Sequence, residues 1–290
     1  MNRQEFHTQI KNDWVDINNN RIFYREAGNR EKPVVVLLHG YPSSSLMFKE
    51  IMLLLADSVY VLAPDMPGFG FTELNDAGFT PTFEQYALFL NAFLQSKKIT
   101  KAYFYLFDYS APIIMRVLTQ NPELMQGLIF QNGIIHKEGM GEVLINARKW
   151  LDENTGESLK QYNKLFELDY TKWEYLNGIY DRTKIAPEYY MLDQYLLDRP
   201  QIKAFQIALK KDYRSNVELY PQWQLFLHRW QPRTLILWGK NDEVFTMQGA
   251  YKIHELVKKS ELRIYDCGHF ALLEYPIQIS DDIKRFILNK

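Results

Sequence analysis

One stretch, KAYFYLFDYSAPIIMRVLTQ from Lys101 to Gln120, constrains the fold more than any other part of the chain. Its apolar first half predicts a strand buried on both faces, and this run stops at Asp108. Helix-like sequence begins within two residues, and the small side chains of Ser110 and Ala111 fit a tight turn. Such a turn is a nucleophile elbow, which exposes its central side chain at the carboxyl edge of a parallel sheet. Here that side chain is a carboxylate, although an Asp at this point can also be a plain helix cap.

Strand-like and helix-like segments alternate along most of the chain. Runs of β-branched and aromatic residues predict strands at 14–17, 22–26, 33–38, 59–63, 102–107, 127–131, 234–238 and 261–265. The first two form an antiparallel hairpin across a polar turn. Repeated strand–helix–strand order favours right-handed crossovers between parallel strands. We therefore predict an α/β fold with a mostly parallel eight-stranded sheet and helices on both faces.

This alternation breaks after Gly133. From about Lys137 to His228 the pattern is helical without a β-rich run, and nine of the nineteen tyrosines lie there. The aromatic residues suit a large apolar pocket and equally suit a plain core. We predict an α/β core made of residues 1–136 and 229–290, with residues 137–228 inserted as a helical cap.

Charge and composition argue against several classes of function. The 34 basic and 35 acidic side chains leave a formal charge of −1, whereas a nucleic-acid surface needs a clustered basic excess. The single cysteine, Cys267, cannot form an internal disulfide, and the first ten residues lack the apolar run of a secretion signal. No stretch approaches the roughly 18 apolar residues of a membrane span. We expect a cytoplasmic monomer or homodimer that binds neither nucleic acid nor membrane.

Three acid–base side chains follow predicted strands. Asp108 and Asp242 each follow one, and His269 lies just beyond the last. Because ligands bind outside the carboxyl ends of parallel strands, all three should meet at one edge of the sheet. Considered alone, Asp242 is typical of a solvated loop residue, and His269 is equally typical of a histidine in the core. Their order along the chain, with HGYP upstream, favours a shared site.

Five segments carry a resemblance to a known family: HGYP (39–42), PDMPGFG (64–70), FDYSAP (107–112), WGKND (238–242) and CGHF (267–270). The chain resembles the α/β-hydrolase fold family, in which nucleophile, acid and histidine follow one another in this order. An Asp at the elbow narrows the resemblance to the branch of epoxide hydrolases and haloalkane dehalogenases. The chain departs from the family pattern at Leu106, where Gly is usual, and at Phe107, where His often occurs.

The resemblance implies a cofactor-independent reaction in two steps. Ionised Asp108 attacks an sp³ carbon and forms an alkyl ester. His269, oriented by Asp242, then activates a water that cleaves the ester. The backbone N–H groups of Tyr41 and Tyr109 are expected to form the oxyanion hole for that second step. The expected partners are a small apolar organic substrate and water, and the histidines show no metal-ligand spacing.

The leaving group separates two chemistries that the sequence leaves open. An epoxide becomes an alkoxide and needs an acid, and the segment DYRSN (212–216) resembles the epoxide hydrolase motif whose tyrosine donates that proton. This assigns the role to Tyr213. A second epoxide-binding tyrosine is expected, with Tyr162 and Tyr175 as equal candidates. A halide needs N–H donors instead, typically an indole directly after the nucleophile, where this chain has Tyr109.

We therefore expect epoxide hydrolysis to a diol, with haloalkane dehalogenation as the alternative, because cap indoles at Trp150, Trp173 and Trp223 could reach a halide. A second alternative is a homologue that binds ligands on this fold with little catalytic activity. The complete set of three acid–base groups argues against that interpretation.

Overall fold

The computed structural model of the protein describes residues 9–75 and 78–289. Residues 1–8, on which most of the expectation about a secretion signal rests, lie outside this part of the chain. Within the described ranges, no helix combines the length and the apolar character that crossing a membrane requires.

Eight strands form one sheet among the described residues. They are β1 (Lys11–Ile17), β2 (Asn20–Ala27), β3 (Val34–Leu38), β4 (Tyr60–Pro64), β5 (Ala102–Phe107), β6 (Met125–Gln131), β7 (Thr234–Gly239) and β8 (Glu261–Tyr265). Their spatial order is β1-β2-β4-β3-β5-β6-β7-β8. β2 pairs antiparallel with β1 and β4, and every other neighbouring pair is parallel. The predicted α/β fold with a mostly parallel eight-stranded sheet is confirmed.

Helices fill the connections between these strands. In the part of the chain that the structure describes, the α-helices are α1 (Lys49–Leu55), α2 (Phe83–Ser96), α3 (Ser110–Gln120), α4 (Glu142–Glu153), α5 (Gly156–Asn163), α6 (Leu168–Leu176), α7 (Pro187–Leu197), α8 (Pro200–Asp212), α9 (Arg214–Trp230), α10 (Met247–Leu256), α11 (Ala271–Glu274) and α12 (Pro276–Leu288). Short 3-10 turns cover Ser45–Phe48, Pro122–Leu124, Lys137–Gly139, Lys164–Phe166 and Arg182–Lys184.

The sheet separates two apolar cores, because successive side chains of a strand point to opposite faces. On β5, Phe104 and Leu106 join the core that includes α2, α3 and α10. Tyr105 and Phe107 join the opposite core, which includes α1 and α12. Both faces of the central strands are therefore covered, which explains why their sequences read as continuous apolar runs.

Helices α4 to α9 lie between β6 and β7 in the sequence and pack against loops of the sheet. The Ser44 hydroxyl after β3 donates to Asp193 on α7 at 2.8 Å. The Gln206 amide on α8 donates to the Gly68 carbonyl after β4 at 2.9 Å. These contacts hold the helices over the carboxyl ends of the strands. The exact cap boundaries at residues 137 and 228 stay a prediction, and α9 itself runs to Trp230.

Candidate active site

The turn between β5 and α3 has the geometry of the predicted elbow. Asp108 adopts φ 47°, a left-handed conformation that is strained for a residue with a side chain. The Ser110 hydroxyl stabilises the turn, since it accepts from the Phe107 N–H at 2.6 Å and donates to the Phe107 carbonyl at 2.8 Å. A Cβ at Gly133 would lie only 3.1 Å from the Leu106 carbonyl oxygen. The elbow forms with Leu106 in place of Gly, and the Leu106 side chain is buried in the apolar core that includes α2 and α3.

Two backbone N–H groups bind the Asp108 carboxylate. Oδ1 accepts from the Tyr41 N–H at 2.6 Å, and the Tyr109 N–H is a second donor. Gly40 permits this approach, because a Cβ there would lie 2.3 Å from Oδ1. The predicted oxyanion donors thus surround the predicted nucleophile, which is 5% exposed.

The second carboxylate, Asp242, orients an imidazole. His269 Nδ1 lies 2.7 Å from Asp242 Oδ2. The other oxygen, Oδ1, accepts from the N–H groups of Val244 at 2.7 Å and Phe245 at 3.1 Å. Because the Asp242 carboxylate can only accept this hydrogen bond, His269 Nδ1 carries the proton. In the neutral imidazole, Nε2 is therefore the basic nitrogen.

The acid–base groups lie within electrostatic range of each other. Burial lowers the pKa of His269, but the carboxylates of Asp242 and Asp108 more than reverse this, so the net shift is upward from 6.5. Burial raises the pKa of Asp108 above its usual range, and this shift exceeds the opposing effects of His269, the two N–H groups and Lys210. The structure brings all three predicted acid–base residues to one edge of the sheet.

Sequence analysis missed Asn132, which locks Asp242 in place. Its amide nitrogen donates to Asp242 Oδ2 at 2.8 Å, and its amide oxygen accepts from the Gly239 N–H at 2.9 Å. Asn132 follows β6 in a left-handed conformation, φ 44°, as Asn tolerates. Its position at the end of a parallel strand was the signal that could have revealed it.

A cavity of about 600 Å³ opens beside the elbow, between the sheet edge and the helices above it. Its inner wall includes Tyr109, Tyr162, Lys210 and Tyr213. Asp108 is not itself part of the lining, whereas its neighbour Tyr109 is. Among the described residues that line this cavity there is no Trp.

Tyr213, the predicted acid, and Tyr162, one of the two candidates for the second tyrosine, both line the cavity. The Tyr213 ring lies 6.0 Å from that of Tyr109, and its hydroxyl lies 3.1 Å from the hydroxyl of Tyr220. The Tyr162 hydroxyl is buried and hydrogen-bonds to no other described residue. Burial raises the pKa of both Tyr213 and Tyr162, so both hydroxyls keep their protons at neutral pH. The contact with Tyr220 had no signal in the sequence.

Tyr175, the other candidate for a second tyrosine, is placed elsewhere. Its hydroxyl donates to Asp193 Oδ2 at 2.6 Å, and its ring stacks on Phe270 at 4.0 Å. It does not line the cavity. The reason is the rotation of α6, which turns Tyr175 toward the second apolar core and its neighbour Glu174 toward Asp108.

The segment around Tyr213 also joins the cap helices to the core. Asp212 Oδ2 accepts from the Phe83 N–H at 2.8 Å, at the first turn of α2. Ser215 and Asn216 accept from the buried guanidinium of Arg116 at 3.0 and 2.5 Å. The residues on both sides of Tyr213 therefore fix its position relative to the elbow.

Two further ionisable side chains face Asp108 and were not singled out from the sequence. Lys210 Nζ lies 4.0 Å from the centre of the Tyr41 ring. Glu174 is 4% exposed, and its Oε2 is buried without a hydrogen bond to another described residue. Burial raises the pKa of Glu174 to about 7, although Lys210 opposes this shift. Periodicity alone could not distinguish them from other charged residues on amphipathic helices.

The three cap indoles serve as packing groups. Trp173 stacks on Tyr170 at 5.5 Å, and Trp150 packs at the edge of the first core. Trp223 is 1% exposed beneath the guanidinium of Arg116, which lies 5.2 Å from its ring. None of the three reaches the lining of the cavity.

Comparisons with known proteins identify the family to which this fold belongs. The family model for the alpha/beta hydrolase fold matches residues 33–276. The uncharacterized hydrolase YNR064C of Saccharomyces cerevisiae is 32% identical over 278 residues, or 91% of this chain and 92% of the relative. A haloalkane dehalogenase of Bradyrhizobium diazoefficiens is 32% identical over 111 residues, or 38% of this chain and 35% of the relative. The solved structure of the epoxide hydrolase CorEH has a TM-score of 0.75 at 18% identity, covering 97% of this chain and 99% of that one. The chain therefore belongs to the α/β-hydrolase fold family.

Proposed function

We propose that this chain is a cofactor-independent hydrolase that forms an ester on Asp108 and converts epoxides to diols. One observation carries the proposal. Asp108 stands at a strained elbow with its carboxylate bonded to two backbone N–H groups, and the same edge holds His269 oriented by Asp242. A serine at the elbow would attack carbonyl carbon, whereas a carboxylate suits displacement at an sp³ carbon.

In the first step, a carboxylate oxygen of Asp108 attacks an epoxide carbon as the bond from that carbon to the ring oxygen breaks. Tyr213 donates its hydroxyl proton to the ring oxygen, which leaves as a neutral hydroxyl group. The Tyr220 hydroxyl, 3.1 Å from that of Tyr213, can then donate to the phenolate. Tyr162 is our choice for the second tyrosine, because it lines the cavity and its hydroxyl has no bond to another described residue.

In the second step, His269 Nε2 takes a proton from water, and the hydroxide attacks the carboxyl carbon of Asp108. Negative charge develops on the oxygen that the Tyr41 and Tyr109 N–H groups bind, and one such donor contributes about 3 kcal/mol. The tetrahedral intermediate collapses, and the departing diol oxygen takes the proton from His269. The proton that remains on the Asp108 carboxyl returns to the Tyr213 phenolate, which restores both groups for the next cycle. Tight hydrogen bonding of Asp242 keeps the imidazole in the required tautomer.

Haloalkane dehalogenation is the alternative, favoured by the local match to a dehalogenase. A departing halide needs N–H donors at the cavity. The side chains of Tyr41 and Tyr109 have none, and no Trp lines the described part of the cavity. Two tyrosine hydroxyls at the cavity suit an alkoxide better, which is why we place epoxide opening first.

A paired substrate panel tests the assignment. Purified protein is incubated with styrene oxide and with 1-bromobutane, and diol and bromide are measured. We expect diol from the wild type, none from Asp108→Ala, and full activity from Asp169→Ala, which removes an exposed carboxylate of α6. Bromide release without diol from any epoxide would select the dehalogenase. A folded protein that turns over neither class would favour a ligand-binding homologue.

A further inference from the structure

We propose that the substrate carries a carboxylate, and that Lys210 binds this group inside the cavity. The inference rests on the proposed function for the reacting end of the substrate, since that end must meet Asp108. It adds a recognition site for the other end.

Lys210 lies in the last turn of α8, three residues before Tyr213, which connects α8 to α9, and both side chains line the cavity. Its ammonium group lies 4.0 Å from the centre of the Tyr41 ring, 5.4 Å from Tyr170 and 5.5 Å from Phe166. This aromatic cage holds a cation in place without neutralising it. The carboxylates that act on Lys210, Glu174 and Asp108, do so through space and not through a hydrogen bond.

Buried polar atoms with no protein partner accompany the ammonium group. The hydroxyls of Tyr109 and Tyr162 and Oε2 of Glu174 are buried and hydrogen-bond to no other described residue. The large majority of buried side-chain polar atoms in proteins are hydrogen-bonded, so these three atoms indicate a place for a polar group of the ligand. Two of them are hydroxyl donors, which suit a carboxylate.

Positive charge is concentrated at the cavity although the whole chain has a net charge of −1. The charged lining residues are five cations and two carboxylates: Lys137, Arg148, Lys210, Lys211, Arg214, Asp152 and Glu218. Arg148 and Asp152 pair with each other at 3.9 Å, which leaves four cations and one carboxylate in the lining, while Glu174 and Asp108 act on Lys210 from outside it. Such an imbalance attracts anionic ligands and raises their local concentration.

The remaining lining limits the shape of the substrate. Leu144, Ala147, Leu151 and Val217 make part of the cavity lining apolar. Asp108 repels a second carboxylate, so the anionic group must lie away from the reacting carbon. An acid with an apolar body, its reacting carbon at Asp108 and its carboxylate at Lys210, satisfies both conditions.

Calorimetric binding of two non-reactive probes tests the site without turnover. The probes are 4-phenylbutanoate and 4-phenylbutan-1-ol, which share an apolar body and differ in charge. We expect the wild type to bind the acid about 10- to 100-fold more tightly than the alcohol, the usual contribution of a charged hydrogen bond. Lys210→Met should bring this ratio close to one. Lys203→Met, which removes a lysine of the same helix outside the cavity lining, should leave it unchanged.

Equal affinities in the wild type would overturn the proposal, and so would an acid preference that survives in Lys210→Met. Lys210→Gln repeats the comparison if the Met variant loses its helical circular dichroism. The reaction is judged separately. Diol formation together with equal affinities for the two probes would refute only this inference. A preference for the acid without diol formation would refute only the proposed reaction.

Discussion

The carboxyl edge of the sheet and the cavity wall differ in how their polar groups are satisfied. At the edge, Asp108 and Asp242 accept hydrogen bonds from backbone N–H groups. Asn132 donates to Asp242, which in turn is bonded to His269. At the wall, the hydroxyls of Tyr109 and Tyr162 bond to no other described residue. The edge is organised before substrate arrives, whereas the wall offers groups that substrate must satisfy. Under the proposed function, the sheet edge determines the reaction and the cavity wall determines which substrates bind.

Substitution of His269 at the sheet edge should have the largest effect on turnover. His269→Gln retains the nucleophile Asp108, so ester forms but no base activates water. We expect turnover to fall by about 10³-fold. Intact mass spectrometry should show the protein carrying one substrate on Asp108. His254→Gln, which changes an exposed histidine, is the control. Undiminished turnover by the His269 variant would refute the two-step scheme.

Removing one hydroxyl from the wall should affect only one class of substrate. Tyr213→Phe is expected to slow epoxide opening by about 10²-fold, because the alkoxide loses its acid. Bromide release from any accepted bromoalkane should change little, since halide leaves without a proton. Tyr195→Phe, on an exposed tyrosine of α7, is the matched control. Equal loss with both substrates would assign Tyr213 a packing role.

The coupling within the edge can be measured by titration. In the free protein the pKa of His269 lies above its ordinary value of 6.5, because Asp242 and Asp108 favour the charged ring more than burial disfavours it. Ester cleavage needs the neutral ring, so it should slow about tenfold per unit as pH falls below the pKa that His269 has in the ester, where Asp108 carries no charge. In Asp108→Ala the lost charge should lower the pKa. Imidazole resonances in NMR follow both shifts, and an unchanged midpoint would show that the two groups are not coupled.

The contact of Arg116 with Asn216 joins the cap helices to the core, and its loss should affect stability more than activity. Asn216→Ala removes an acceptor from the buried Arg116 guanidinium, which should cost about 1–3 kcal/mol in the free energy of unfolding. Urea denaturation measures this loss, with the exposed Asn146→Ala as control. We expect less than a threefold change in turnover per folded molecule. A loss of activity larger than that of Tyr213→Phe would instead show that the contact between Arg116 and Asn216 is needed for the reaction at the cavity.

Much of the edge could be predicted from the sequence. Apolar runs located the strands, and the order of Asp108, Asp242 and His269 placed them at one edge, because parallel strands share their carboxyl ends. The elbow followed from small residues after the strand. Asn132 escaped notice only because an amide at a strand end looks like a turn residue.

The wall was decided by tertiary structure. Tyr162 and Tyr175 were equal candidates, yet Tyr162 lines the cavity and the Tyr175 hydroxyl donates to Asp193. Lys210 and Glu174 carried no signal that set them apart from other charged residues on amphipathic helices. The physical reason is that the end of a strand fixes where its next residue lies, whereas a helix presents a different face with each rotation. That rotation is set by packing against distant parts of the chain, which periodicity along one helix does not encode.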